Sequence, residues 1–269
     1  LKKLLINNKM LKICKKCVAI DSRPGLQLNS NQVCFPCEIA NKKIDWALRN
    51  QELNQIVKQI KNANSQSQYD CIVSVSGGKD STRQALIVRD ILNLNPLLVC
   101  CAYPPEQQTD IGVQNLENLI KLGFDCISVT PSPKKYKKLM KTSFEKYANW
   151  CRPTEMALYA TAPRIATNYK IPYIFLGENN ALTYGDVGGS LGGDANRIKY
   201  NNTLNGGIPT EYMEPWMKKS DVLWHHFPSD EDMERGNIKI IYLGYYFRDF
   251  NNIKNMEVSV SHGLKLKSN

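Results

Sequence analysis

Between residues 70 and 177 short apolar runs alternate with stretches of helical periodicity, and this alternation constrains the fold more than any other feature of the chain. The runs 70–76, 97–102, 125–130 and 172–177 read as strands, and 80–93, 111–122, 134–147 and 155–169 read as helices. Strands separated by helices pair in parallel, because the helix carries the chain back to the starting edge of the sheet. The expected fold is α/β, a doubly wound parallel sheet. Pro163 lies inside the last helical run and is expected to kink or split it.

A separate unit precedes this pattern. Cys14-Lys-Lys-Cys17 and Cys34-Phe-Pro-Cys37 form a C-x2-C-x16-C-x2-C pattern of metal-ligand spacing. Two knuckles, each offering two thiolates from a tight turn, give four soft ligands for structural Zn(II) and leave no open position for catalysis. An iron–sulfur cluster and free thiols are the alternatives. Lys12, Lys15 and Lys16 would favour the thiolates. Apolar residues Ile44, Leu48, Leu53, Ile56, Val57 and Ile60 then mark an amphipathic helix over 42–62, followed by a polar linker to Gln68. The expected organisation is a zinc-knuckle module at 1–41, a helix and linker at 42–68, and the main domain at 69–269.

The decisive local motif is Ser76-Gly77-Gly78-Lys79-Asp80-Ser81, between the strand Cys71-Ile-Val-Ser-Val75 and a helix opened by Asp80 or Ser81. Two glycines let backbone approach an anion closely, successive N–H groups face it, and the helix N-terminus adds its dipole. A Walker A loop would need glycine at Val73 and Ser or Thr at Asp80, so this is a different phosphate loop. Glu178 and Asn179 close the strand Ile174-Phe-Leu-Gly177 at the carboxyl edge of the sheet, where open α/β folds bind ligands. From about Leu182 to Gly207 the chain is rich in glycine and asparagine and reads as one long loop of lid or binding type, holding Tyr184, Gly185, Gly188, Gly189, Gly192, Gly193, Gly206 and Gly207. Ile238 to Phe247 fits a buried strand, and no clear periodicity follows Phe250.

The hexapeptide resembles the PP-loop of ATP pyrophosphatases, which cleave ATP between the α and β phosphates and adenylate an oxygen of their substrate. The resemblance implies that Ser76, Gly77, Gly78 and Ser81 hold pyrophosphate and that Lys79 neutralises developing charge. It also implies that Asp80 caps the helix or ligates Mg(II). Further segments narrow it. Cys14-x2-Cys17-Val18, Asp21-Ser-Arg23-Pro24-Gly25, Val33-Cys34-x2-Cys37 and Ile44-Asp45-Trp46 are similar to the N-terminus of N-acetyl sugar amidotransferases of bacterial surface-polysaccharide and pseudaminic-acid pathways. Asn95-Pro-Leu-Leu-Val99, Asn115-Leu-Glu-Asn-Leu119, Pro163-Arg-Ile-Ala166, Ile171-Pro172, Gly177-Glu-Asn179 and Leu243-Gly-Tyr-Tyr246 also look like that family, in the same order, from about Cys14 to Asp249.

That family resemblance implies ATP-dependent conversion of an acetamido group on a nucleotide sugar or nonulosonic acid to an acetamidino group, in the making of lipopolysaccharide O-antigen or flagellin glycans. It implies ATP, Mg(II) and structural Zn(II), with ammonia from a separate glutaminase paired with a barrel subunit, and it allows a homodimer. Glu178 would contact substrate or Mg(II), or take a proton from ammonia; as a plain carboxylate it would cap the following loop. Arg164 would fork onto a phosphate or sugar carboxylate, unless it is only a surface ion pair. Asn179, Tyr184 and Gly185 complete the expected substrate contacts. Related chains usually continue past Leu-Gly-Tyr-Tyr into a further region, whereas this sequence ends at Asn269.

Composition bounds the alternatives. The net charge is +10, and residues 1–50 contribute +7 of it, from ten Lys or Arg against three Asp or Glu. Such a patch suits tRNA, a nucleotide-linked acidic sugar, an acidic protein, or plain solvation. A tRNA-thiolating enzyme is the competing reading. It would need a reactive cysteine near the loop, and Cys71, Cys100, Cys101 and Cys126 lie in strand patterns that favour inert buried thiols. Cys151 stands in a loop-like setting, and no C-x2-C pair follows residue 81, so nucleic acid is not the expected partner. His225-His226 is no natural chelating pair, and Trp216, Trp224, Tyr242, Tyr245 and Tyr246 are expected to pack in the core and lid. No run of eighteen apolar residues occurs, and Leu4, Leu5 and Ile6 are too few for a signal-peptide core, so a cytoplasmic protein without a membrane span is expected.

Overall fold

Each strand sends alternate side chains to two packed faces, and the two larger hydrophobic clusters among the described residues are those faces. Ile72, Leu97, Val99, Ile174, Ile240 and Tyr242 meet one layer of helices, whereas Cys71, Val73, Leu98, Cys100, Phe175 and Ile241 meet the other. Both faces being apolar, the strands read as nearly continuous apolar runs, as parallel strands covered on both sides must. The computed structural model describes residues 11–22, 26–40, 42–63, 67–104, 107–185, 190–200, 204 and 218–267. Leu4, Leu5, Ile6, Arg23, Pro24, Gly25, Gly188, Gly189, Gly206, Gly207 and Trp216 lie outside the described residues.

The strands are β1 (Cys71–Val75), β2 (Pro96–Cys101), β3 (Cys126–Val129), β4 (Tyr173–Leu176) and β5 (Lys239–Tyr242). All neighbours pair in parallel, in the order β3-β2-β1-β4-β5, which is the expected doubly wound sheet. The helices are α1 (Phe35–Ile39), α2 (Trp46–Asn62), α3 (Lys79–Leu86), α4 (Asp110–Lys121), α5 (Pro133–Tyr147), α6 (Arg152–Tyr169), α7 (Asn180–Tyr184), α8 (Asp230–Arg235) and α9 (Asn252–Ser261). Helices α5 and α6 cover the first face, and α2, α3 and α4 the second. A π-helical turn, Ile87–Ile91, extends α3. None of the described helices is long and apolar enough to cross a membrane.

Four expectations are corrected. Helix α6 is not split at Pro163 but runs through it as one element, and the proline is buried along with its neighbours Ala162, Ile165 and Ala166. The glycine-rich stretch is not one loop: α7 takes its start, and Gly193 to Ala195 lies antiparallel along β5, with Ala195 N–H bonded to Ile240 O and Tyr242 N–H to Gly193 O. This covers an otherwise open sheet edge. The apolar run at 238–247 is strand only to Tyr242, because the chain must bend there to bring the Gly244 N–H onto Gly177 O at 3.0 Å. A Cβ at Gly244 would meet that oxygen at 2.9 Å, so the approach requires glycine. Finally, α9 forms where the sequence shows no clear periodicity, and it packs on α3.

His225 is an ordinary core residue, as expected, but one with a titration consequence. It is 2% exposed, tilted against Tyr136, and neither ring nitrogen has a partner among the described residues. Burial pushes its pKa down to about 4. The folded chain therefore resists protonation that the unfolded chain accepts below about 6.5. Stability from this group is whole above pH 6.5 and is lost as pH falls towards 4, by about 3 kcal/mol in total. Urea unfolding at pH 7.5 and pH 5 should show the loss in the wild type and a smaller one in His225→Leu. An equal loss in both would place the acid sensitivity elsewhere.

Candidate functional site

The order of strands reverses between β1 and β4, and the loops leaving these two strands flank the crevice that such a reversal opens. One loop is Ser76 to Gly78, the other Gly177 to Asn179. Between them and α6 lies a cleft of about 250 Å³, lined at its mouth by Ser76, Asp80, Ser81 and Glu178. Its floor is largely apolar, including Val99, Ala162, Ile174 and Ile240.

The phosphate loop is built as its sequence demands. Gly77 has φ +79°, and its missing Cβ would stand 3.1 Å from the Leu116 backbone nitrogen on α4. Gly77→Ala should cost about 2 kcal/mol through left-handed strain and that contact. Thermal unfolding would register it, and an unchanged midpoint would show that the loop relaxes freely. Ser81 Oγ ties the turn, accepting from Ser76 N–H at 3.2 Å and donating to Gly78 O at 3.1 Å. The first intrahelical bond of α3 runs from Thr82 N–H to Gly78 O at 2.9 Å. The N–H groups of Lys79, Asp80 and Ser81 therefore lie in the first turn, where no helical carbonyl can take them, and suit an anion.

Charge is concentrated beside that turn. Lys79 Nζ lies 2.5 Å from Asp80 Oδ2, and Asn255 Nδ2 donates to Asp80 Oδ1 at 2.7 Å. Glu178 is half-buried, and burial together with the Asp80 charge pushes its carboxyl up, with Lys79 pulling the other way. Lys79, Asp80, Glu178 and the Ser76–Ser81 loop are thus brought together at one site.

Other expected contacts are placed differently. Asn179 caps α7: its amide oxygen accepts from Ala181 and Leu182 N–H, and its nitrogen donates to Ser190 O and Gly192 O. The amide has no capacity left for a ligand. Arg164 donates to His226 O and lines a different cleft, with Thr167, Lys170, Asp232 and Arg235, near the start of β4. It does not reach the phosphate loop cleft. Gly185 ends α7 with φ +81°, and a Cβ there would meet Leu26 and Pro36 at 3.2 Å. It is a docking point for the cysteine module, and exposed Tyr184 precedes it.

That module has its own small core of Cys14, Leu26 and Cys34. The sulfurs of Cys14, Cys17, Cys34 and Cys37 lie within 4.8 Å of one another and form a group able to hold a metal ion. Cys14 Sγ accepts from Cys34 N–H and Lys16 N–H, and backbone donors, Cys34 first, pull its pKa down to about 6. Thiol crowding, Cys17 first, pushes Cys37 up to about 12, and burial pushes Cys34 up. Four thiolates in this space require a cation among them, so the donor set fits Zn(II). Because α1 packs on α7, the cysteine module buttresses the loop that carries Glu178.

The four strand cysteines, Cys71, Cys100, Cys101 and Cys126, are consistent with inert thiols. Burial raises Cys71, Cys101 and Cys126, and brings Cys100 to about 12. Cys101 alone among them lines the cleft, and Cys151 is exposed.

Several site residues escape sequence reasoning. Ser74 Oγ lines the cleft, buried and without a partner among the described residues. Its signal is a lone hydroxyl in an apolar strand. Gln84 Nε2 donates to Phe175 O at 2.7 Å and locks α3 to β4. Buried Arg83, Asn255 and Ser259, with exposed Asp249, form a brace behind the loop.

No protein-family model and no curated protein matches the sequence. Among solved structures, the chain is similar to an NH3-dependent NAD synthetase from Campylobacter jejuni, with 13% identity and TM-score 0.36 over 51% of this chain and 58% of that one. It therefore spans less than two thirds of that protein's length. An NMN synthetase from Francisella tularensis matches with 13% identity and TM-score 0.35, over 84% of this chain and 100% of that one. A U34-tRNA thiolase from Methanococcus maripaludis with its 4Fe-4S cluster matches with 13% identity and TM-score 0.34, over 94% and 81%.

Proposed function

We propose that the protein is an ATP-dependent amidotransferase of PP-loop type, which converts an acetamido group of a nucleotide sugar or nonulosonic acid to an acetamidino group. The observation that carries the reading is the Ser76–Ser81 turn at the strand-order reversal, facing Glu178 across a cleft with an apolar floor. An adenine ring suits that floor, with Ser74 Oγ as a polar contact, and the triphosphate suits the first turn of α3. The amide oxygen of the substrate attacks the α phosphorus and pyrophosphate leaves, held by the loop N–H groups while Lys79 offsets its charge. Ammonia then attacks the imidoyl carbon, the C–O bond breaks, and AMP departs with the former amide oxygen.

Glu178 suits the proton-transfer role, because burial and the Asp80 charge raise its affinity for a proton taken from ammonia. The same pair of carboxylates fits Mg(II): Glu178 has no hydrogen-bond partner among the described residues, and a cation would relieve its repulsion with Asp80. Mg(II) held by Asp80 and Glu178 would neutralise phosphate charge. Ammonia would come from a separate glutaminase with its barrel subunit, in the cytoplasm, for a bacterial surface glycan. The proposed division is a zinc module at 1–41, a connecting helix and linker at 42–68, and the ATP-binding domain at 69–269.

Mass spectrometry of reactions with ATP, Mg(II), ammonium and a panel of acetamido nucleotide sugars and nonulosonic acids tests this reading. A sugar lighter by about one dalton, O exchanged for NH, together with AMP is the expected result. Sulfur entering tRNA, in a parallel arm with a sulfur donor, would replace it with thiolation.

A further inference from the structure

Behind the phosphate loop, α9 holds two of its residues directly. Asn255 is 1% exposed, and its amide is used at both ends: Nδ2 donates to Asp80 Oδ1 at 2.7 Å, and Oδ1 accepts from Arg83 Nη1 at 3.0 Å. Arg83 is itself anchored, by Nη2 on Asp249 Oδ2 and by Nη1 on Asp249 O, each at 2.6 Å. One turn further along α9, Ser259 Oγ donates to Lys79 O at 2.6 Å.

The chemistry fixes the identity of residue 255. A guanidinium only donates and a carboxylate only accepts, so the group between them must accept on one side and donate on the other. An asparagine amide does both, in one orientation. A leucine would leave buried Arg83 and half-buried Asp80 without this bond, and an ionised aspartate would repel Asp80. With Oδ1 held by Asn255, the other oxygen of Asp80 is turned to Lys79 Nζ at 2.5 Å. The brace therefore sets where the loop's negative and positive charges stand relative to an incoming nucleotide.

We propose that α9 is the positioning element of the phosphate loop, and that Asn255 is the positioning residue that fixes the Asp80 carboxylate for nucleotide binding. This rests on the ATP reading above. It is new with respect to the loop motif, since Asn255 lies 175 residues beyond Asp80 in the sequence.

Calorimetric titration of the full chain with MgATP tests it, using the wild type, Asn255→Ala, Asn255→Asp, Asp80→Ala and the Asp80→Ala/Asn255→Ala double variant. Asn255→Ala should weaken MgATP about tenfold, and less than about twofold further when Asp80 is already alanine, because its effect passes through that carboxylate. Asn255→Asp should bind worse still at pH 8. At pH 5.5 this variant should recover towards the wild type measured at the same pH, since its new carboxyl, once protonated, can donate again to Asp80, with Arg83 on its other side and Lys79, Asp249 and Glu178 interacting with those two groups. A merely structural role would give neither the non-additivity nor the recovery on acidification. Wild-type affinity in both single Asn255 variants would overturn the positioning role alone. A wild type that binds no MgATP would overturn the nucleotide reading, and this proposal with it.

Discussion

Lys79→Ala should reduce AMP formation by about a thousandfold while leaving the circular dichroism spectrum and the metal content unchanged. The ammonium lies 2.5 Å from Asp80, at the first turn of the helix whose free N–H groups face the cleft. Removing it leaves charge developing on pyrophosphate to the N–H groups alone, and leaves Asp80 unbalanced beside Glu178. The fold should survive, because the Lys79 and Asp80 side chains are partly exposed and neither belongs to a hydrophobic cluster. Asp80→Ala should fall in the same direction by about a hundredfold. AMP formation retained in both variants would sink the assignment of the loop.

Metal removal should have the second large effect, and a different one. Among its described residues the cysteine module has three buried core residues, Cys14, Leu26 and Cys34, far too few to hold a fold alone. Its order is expected to come from a bound ion, which in small zinc modules contributes on the order of 10 kcal/mol. Elemental analysis should find one zinc per chain in the wild type and none in Cys34→Ser. The stripped protein should be cut by protease within 11–40 about a hundred times faster, while the sheet stays folded. Because α1 rests on α7 and Gly185 packs on Leu26 and Pro36, turnover should also fall as the Glu178 loop loses its buttress. Unchanged proteolysis after complete metal loss would mean that the module is held by something other than the ion.

The parts of this architecture that obey hydrophobic periodicity are legible in the sequence. Strand β1, the glycine turn and α3 together with its π-helical turn lie within a residue or two of their expected places, since an apolar run, a glycine pair and a charged first turn each have a local cause. Helix α9 is not legible, for a physical reason. Its buried face is Asn255 and Ser259, polar residues one turn apart, whereas Ile253 and Val260 are exposed. A search for buried apolar spacing passes over a helix that docks through hydrogen bonds. The same blindness affects Arg83, whose charge suggests a surface residue and whose side chain is 6% exposed. Asn179 and Arg164 do stand out in the sequence, but the amide is consumed as a helix cap and the guanidinium faces a second cleft. Residue type in a strand-end motif marks a neighbourhood without distinguishing the group that shapes the loop from the group that meets the ligand.

Cleavage of ATP at the α–β bond is the step that the Ser76–Ser81 loop is proposed to support, and phosphorus NMR observes it most directly. ATP and Mg(II) would be turned over by the full chain with ammonium and the acetamido-sugar panel. The expected products are AMP and pyrophosphate in equal amounts, appearing only with an acetamido substrate and absent with Lys79→Ala. ADP and orthophosphate as the products, or ATP left intact across the whole panel, would contradict the account.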